Sequence, residues 1–373
     1  MSMPEKYLSM GSFYKYYSGE KVAPVPTLFI HGNHECVNYL KELYFGGWVA
    51  PNIYYMGYSN VINFGGVRIG GVGGIWSEHD FKKGHYERPP YRGGASKSAY
   101  HVREYEVFKL SQVKDPMDIF LSHDWPKGIY HFGDKTRLLR QKPFFAAEIA
   151  NDELGSAAAQ HLLLTLQPKY WFSAHLHVKF AALLNHPSGP TTRFLALDKC
   201  LPGRDFLQIL DIEPSCNDPQ MTARDTNGRY QFHYDEEWLS ILKASMPFYS
   251  TSSSPPPLPP TLDVSESRTE LQTARQSNLI PSLLIPTEFH LSVPAHDPSS
   301  PNAHGPRMAN PFENRHTTTF AASFGIQLPF PPSTAEHEAD LHLPPAPEAT
   351  AQATSSFQNE EVENPDEIDL GDD

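Results

Sequence analysis

Cysteine is scarce: Cys36, Cys200 and Cys216 are the only three in 373 residues. They are too few for a disulfide framework, which predicts a reducing compartment. No run of about 18 apolar residues occurs, and no basic-then-apolar leader opens the chain, so membrane spans and a secretory signal are not expected. Tryptophan and tyrosine are missing altogether from residue 251 onward, where 19 of the 35 prolines lie. Basic residues are nearly missing there too, with 4 Lys+Arg against 18 Asp+Glu, a balance of -14, while residues 1–250 stand at +1. The overall charge of -13 therefore belongs to the tail and excludes no nucleic-acid ligand for the folded part. Stretches such as TSSSPPPLPP at 251–260 offer little to bury against the entropy of ordering a backbone. Residues 251–310 are thus expected to be a disordered Pro/Ser-rich insertion and 331–373 a disordered acidic tail. The last 14 residues, 360–373, hold eight acids and no base, either as a solvated face or as a docking motif for an unknown partner.

What is present before residue 214 reads as α/β. Short apolar runs at 27–30, 53–56, 67–71, 117–121, 170–173, 180–184, 194–197 and 206–210 are expected strands. Helical stretches at 37–44, 100–113 and 156–167 alternate with them, the last opened by Ser156 as N-cap and stopped by Pro168. Such alternation implies a sheet packed under helices. A further helix is expected at 235–244, with Trp238 and Leu239 on its apolar side.

Three polar motifs each follow an expected strand: HGNHE at 31–35, SHDWP at 122–126 and AHLH at 174–177. The carboxyl ends of strands are where ligand sites collect in open α/β sheets. Neutral imidazole and amide oxygen suit divalent first-row metals. One histidine at a strand end is more often a hydrogen-bonded structural residue, and Asn-His in a loop is often turn chemistry. The weight lies in three such motifs together.

That set resembles the calcineurin-like metallophosphoesterase superfamily, and within it the RNA lariat debranching enzymes. The resemblance is carried by YKYYSGE at 14–20, GGWVAPNIYY at 46–55, KGHYERPPY at 83–91 and YHVR at 100–103. FLSHDWP at 120–126, YWFSAHLHVKF at 170–180 and ALDKCLP at 196–202 carry it further. It runs almost unbroken from residue 1 to 213, the expected catalytic domain. Fainter echoes at 234–244, 317–326 and 364–368 suggest a C-terminal domain starting at 214–250 and resuming at 311–330. The resemblance implies a four-layer αββα sandwich. It also implies a two-site divalent metal centre of Fe2+, Zn2+ or Mn2+, branched intron RNA as substrate, and a nuclear location. Asn33, His123 and His175 match the ligands of one metal pocket and His177 a ligand of the other. His34 matches the residue that protonates the leaving 2′-oxygen. Glu35 is expected to orient these groups, and Asp124 to be structural.

Residues 73–103 match the family's lariat-recognition loop. Basic Lys82, Lys83, Arg88, Arg92, Lys97 and Arg103 interleave there with Trp76, Phe81, Tyr86, Tyr91 and Tyr100, a mixture suited to phosphates and stacked bases. Lys82, Lys83, His85, Tyr86, Arg88, Tyr91, Tyr100, His101 and Arg103 are the expected RNA contacts. His79 reads as loop structure or RNA contact. The family's opening C-x-H and G-D-F motifs are absent, for no Cys or Asp precedes Asn33. The bridging aspartate and two ligands of the second pocket are therefore missing. A truncated gene model or internal start is the expectation, with poor folding and weak or no debranching. Two rivals are a generic metallophosphoesterase and a catalytically inert RNA-binding or scaffold protein.

Overall fold

The computed structural model describes residues 11–329 apart from 90, 92, 217, 281 and 300–312. These lie in the first of two compact units, Met1–Pro329. The second, Phe330–Asp373, with the expected acidic tail, lies outside the described residues. Two sheets form the frame. The smaller has the order β1-β3-β2, from Thr27–Phe29, Ile53–Tyr55 and Gly47–Ala50. The larger runs β10-β4-β5-β6-β7-β9-β8. Its strands are β4 Ser59–Phe64, β5 Val67–Val72, β6 Ile119–Ser122, β7 Tyr170–Ser173, β8 Phe180–Asn185, β9 Thr191–Ala196 and β10 Phe232–Tyr234. Strands β5, β6, β7 and β9 pair in parallel, Val72 opposite Ser122 and Leu121 opposite Phe172, so the ends of β5, β6 and β7 finish side by side.

The core follows from the sequence of these central strands. Alternate positions of β6 and β7 bury Phe120 and Trp171, whose rings stack 4.4 Å apart. Helix Ala157–Leu166 covers this side with Leu162 and Leu163, its first turn capped by Ser156 Oγ accepting from the Ala159 N–H at 3.0 Å. Gln167 ends it in a left-handed conformation just before Pro168. Trp125, leaving β6, stacks on Phe180 of β8 at 5.1 Å and ties the strand-end loop to the far edge.

Three strands escaped the sequence reading. Strand β4 (SNVINF) carries two asparagines yet is almost wholly buried, because Asn60 donates to the carbonyls of Phe45 and Met56 and Asn63 donates to Asp235. The short β2 and β10 are fixed by tertiary pairing with β3 and β4. Conversely, the strand expected at 206–210 does not form. Phe206, Leu207, Ile209 and Leu210 stand 39, 69, 82 and 42% exposed. No described strand runs beside them to bond their backbone, and an apolar run is a strand only when one does.

The C-terminal part is locked to this frame by charge. Asp235 caps helix Glu236–Ser245 through the Trp238 N–H at 2.9 Å, and its carboxylate also grips Arg68 of β5 with two bonds of 2.8 Å. Arg68 reaches Glu237 as well, at 2.8 Å. Removing one partner of such a buried pair costs about 3–5 kcal/mol. The expectation of disorder through 251–310 is corrected for its described part, 251–299. Helix Ser265–Gln276 packs on Glu236–Ser245 and buries Leu271. The backbones of Leu283 and Ile285 bond to Tyr234 and Phe232 of β10, and the Trp48 indole donates to the Pro286 carbonyl at 2.6 Å. A few spaced leucines and carbonyls suffice once a partner surface exists, which composition does not register. Helix Arg315–Phe324 closes the unit with Phe320 and Phe324 against Tyr234.

Candidate functional site

Three loops meet where the two sheets adjoin. The first leaves β1, so the three histidine motifs do not all come from neighbouring strands of one sheet: HGNHE belongs to the small sheet, the other two to the large one. Within it, Glu35 Oε2 accepts the Gly32 N–H at 2.9 Å and the His34 N–H at 3.3 Å. The expected orienting carboxylate thus works by holding its own loop. The Tyr100 hydroxyl fixes the loop further at the Glu35 carbonyl. Gly32 permits a close approach, since a Cβ there would lie 2.5 Å from the His123 ring. His31 is buried, bonded to the Tyr55 hydroxyl at 2.7 Å, and burial with the nearby His85 lowers its pKa to about 3.

The second and third loops leave β6 and β7. Ser122 and Ser173 bond to each other at 2.9 Å and to the Trp171 indole, which sets the two strand ends. His123 Nε2 then lies 3.2 Å from Asn33 Oδ1, and its ring centroid lies 4.9 Å from that of His175. Burial, then the neighbouring His175, His31, His34 and His177, hold His123 well below the ordinary imidazole range, so it is a neutral donor. His175 and His177 both sit in the left-handed region, at φ 58° and 49°. For residues with a Cβ this costs on the order of 1–3 kcal/mol each, and such strain gathers at functional sites. Asp124 is committed elsewhere: its carboxylate accepts the Trp76 and Trp125 N–H groups at 3.2 and 2.9 Å, and burial raises its pKa.

The amide oxygen of Asn33 and the imidazoles of His123 and His175 are donors of the kind a borderline divalent ion accepts. Among the described residues no group of three or more His, Cys, Asp or Glu side chains is placed to hold a metal, and no carboxylate is placed to bridge two ions. Two like cations a few ångströms apart repel strongly without anionic ligands between them.

The 73–103 segment divides by burial. His85, Tyr100 and Arg103 are only 3, 1 and 0% exposed, so the expectation that they touch RNA is corrected. Arg103 pairs with Glu87 and donates to the carbonyls of Asp80 and Ser98 at 2.7 and 2.8 Å. His85 bonds Glu106 at 3.0 Å, and its N–H and that of Gly84 bond the carbonyls of Ser250 and Ser252. Each positive or ring nitrogen is answered by a buried acid that counting basic residues overlooks. His101 bonds Asp80 at 2.6 Å and also serves the loop. Lys82, Arg88, Lys97 and the imidazole of His79 face solvent, while Lys83, Tyr86 and Tyr91 are half-buried. Tyr91 donates to Asn38 at 2.8 Å, and Lys83 bonds Asp80 at 2.8 Å. Arg92 lies outside the described residues.

Sequence reasoning gave His31 and Glu106 no role. Glu106 collects Tyr44 at 2.6 Å, His85 at 3.0 Å, Lys109 at 2.7 Å and the Ser59 hydroxyl. An acid flanked by Tyr105 and Val107 in a helix, with Lys109 one turn on, was the available signal.

Comparison with known proteins adds to this geometry. A model of the calcineurin-like phosphoesterase family matches residues 4–179, and a model described as "Lariat debranching enzyme, C-terminal domain" matches residues 189–329. The second range crosses the boundary expected at 213/214 and includes the packed segment 251–299. The lariat debranching enzyme of Drosophila melanogaster is 42% identical over 414 residues, covering 97% of this chain and 75% of that protein. That of Arabidopsis thaliana is 48% identical over 300 residues, covering 80% of this chain and 68% of that protein. Lariat debranching enzyme A of Xenopus laevis is 49% identical over 339 residues, 87% of this chain but 61% of that protein. The chain thus spans about three fifths of the length of this vertebrate relative. The calcineurin-like phosphoesterase family implies use of a divalent metal.

Proposed function

Because the chain belongs to the lariat debranching enzyme family, we propose that it binds branched RNA and hydrolyses the 2′–5′ phosphodiester at the branch point. The observation that carries this reading is the meeting of Asn33, His123 and His175 from three loops, with His175 and His177 held in strained backbone. Asn33, His123 and His175 would hold a divalent ion, of the Fe2+, Zn2+ or Mn2+ kind that imidazole and amide oxygen accept. When bound, such an ion supplies Lewis acidity that polarises a phosphodiester.

The rest falls to the chain's own groups. His34 protonates the departing 2′-oxygen, and Glu35 sets its place by holding the His34 and Gly32 N–H groups. Lys82, Arg88 and Lys97 neutralise flanking phosphates, and Tyr86 and Tyr91 offer ring faces to unpaired bases. The Tyr100–Glu35 bond joins this recognition segment to the His34 loop, so a branch seated on one is in register with the other. Such a reaction belongs to the nucleus, where lariats are made.

A second reading is an RNA-binding protein that cuts little. One experiment separates the two. Branched RNA, the linear 3′–5′ isomer and p-nitrophenyl phosphate are incubated with the metal-loaded chain and with its His34→Ala variant. Linear product from branched RNA alone, falling at least about 100-fold in the variant, supports debranching. Branched RNA bound but left intact supports the second reading. Hydrolysis of p-nitrophenyl phosphate in preference to RNA contradicts both.

A further inference from the structure

A second basic surface lies close to the site, and neither the sequence reading nor the mechanism above uses it. The loop that begins at His123 continues through a turn at Ile129–Phe132 into helix Lys135–Gln141. Leu138 turns inward, which leaves Thr136, Arg137, Arg140 and Gln141 on the solvent face with Lys135 beside them. Among the described residues, no carboxylate makes an ion pair with Lys135, Arg137 or Arg140. Asp134, the nearest acid in sequence, is occupied as N-cap by the Arg137 N–H at 2.9 Å. An exposed phenylalanine stands at each end, Phe132 at 48% and Phe144 at 47%. The Phe144 ring packs edge-on against Phe145 at 4.6 Å with the Lys142 ammonium 5.5 Å from its centroid, so a cation and a partly open aromatic face already stand side by side at this end of the helix.

Position links this face to the chemistry. Gly133 pairs with Ala182 of β8, which begins three residues after His177. The helix is therefore anchored between the His123 loop and the strand that continues the His177 loop. From this placement we infer that Phe132, Lys135, Arg137, Arg140 and Phe144 form a second RNA-contact surface, which takes a single-stranded arm leading away from the branch. Arg137 and Arg140 lie one turn apart, about 5–6 Å between their Cβ atoms, and meet the phosphates. Phe132 and Phe144 stack on unpaired bases, the pairing of aromatic and guanidinium groups that single strands favour. The inference rests on RNA being the ligand, and it assigns where one arm of that RNA runs.

The test measures binding of branched and linear RNA to the full chain in chelator, across a salt series, so that no cleavage intervenes. Replacing Arg137 and Arg140 with Ala is expected to weaken binding and to flatten the log K against log salt slope by about 1.4, or about 0.7 for each phosphate no longer neutralised. Replacing Phe132 and Phe144 with Ala is expected to weaken binding about five-fold or more with the slope unchanged. Thermal unfolding of the arginine variant should match that of the parent, because Arg137 and Arg140 are exposed. Parental affinity and slope in the arginine variant overturn the inference, while preference of the parent for branched RNA would leave the debranching reading standing. If the arginine variant shows the flattened slope but the parent binds branched and linear RNA alike, the surface stands and debranching falls. If the parent binds no RNA, both fall.

Discussion

Two clusters of polar side chains are built on opposite plans. In one, Glu106 gathers Lys109, His85, Tyr44 and Ser59, and its charge is answered inside the protein. In the other, Asn33, His123 and His175 come together while the nearby carboxylates of Asp124 and Glu35 are each engaged with two backbone N–H groups. Tyr58 links the first cluster to His31 at the head of the HGNHE loop, its ring 4.8 Å from His85 and 5.0 Å from His31. A cluster complete in itself is structure. One left short of charge and held in strained backbone is suited to a cation from outside.

The largest expected effect comes from breaking the complete cluster. Glu106→Ala leaves the buried Lys109 ammonium without its carboxylate and should cost about 3–5 kcal/mol in denaturant unfolding. Replacing Glu106 and Lys109 together with Met should recover most of it. His123→Ala, in contrast, should change stability by less than about 1 kcal/mol while abolishing metal uptake. Equal losses in the two single variants would erase the distinction.

Acid sharpens the same contrast. Burial pushes the Glu106 carboxyl up, but Lys109 and His85 outweigh it and hold the group below its ordinary range. Its contribution is therefore present above the ordinary carboxylate pKa of about 4.5 and lost as pH falls below that toward the depressed value. Unfolding free energies from pH 6 downward should drop more steeply for the parent than for Glu106→Gln, and parallel curves would deny Glu106 this role.

Next in size is metal linkage. Ligand at about 100 times its dissociation constant should stabilise the parent by about 2.7 kcal/mol and leave His123→Ala unmoved. A similar rise in both would place the ion elsewhere. The smallest effect expected is a gain. His177→Gly relieves a left-handed backbone at φ 49°, and after the entropy that glycine adds to the unfolded chain it should stabilise the protein by about 0.5–1 kcal/mol. A loss of that size would mean that the conformation carries no strain.

Much of the frame was legible in the sequence because local pattern and tertiary role coincide there. Strands β6, β7 and β8 and the second half of β9 are largely apolar runs, and Ser156 and Asp235 cap helices as their types predict. That Asn33, His123 and His175 come together was legible because each stands in a polar motif just past an expected strand, where the loops of an open α/β sheet converge. Legibility failed where a distant partner changes a residue's meaning. Asn60 and Asn63 are buried only because carbonyls and Asp235 meet them, and 206–210 stays exposed because no described strand does. Arg103 and His85 look like RNA contacts until Glu87 and Glu106 are placed against them. The basic face at Arg137 and Arg140 passed unnoticed because no motif marks it.

Metal content bears most directly on the central claim that loops from both sheets make one cation site. The chain is loaded with Mn2+ or Zn2+, freed of excess by gel filtration, and assayed for metal per protein alongside Asn33→Ala and His123→Ala. One ion per chain in the parent and none in either variant is the predicted result. No bound ion in the parent, or a stoichiometry unchanged by both substitutions, would contradict it.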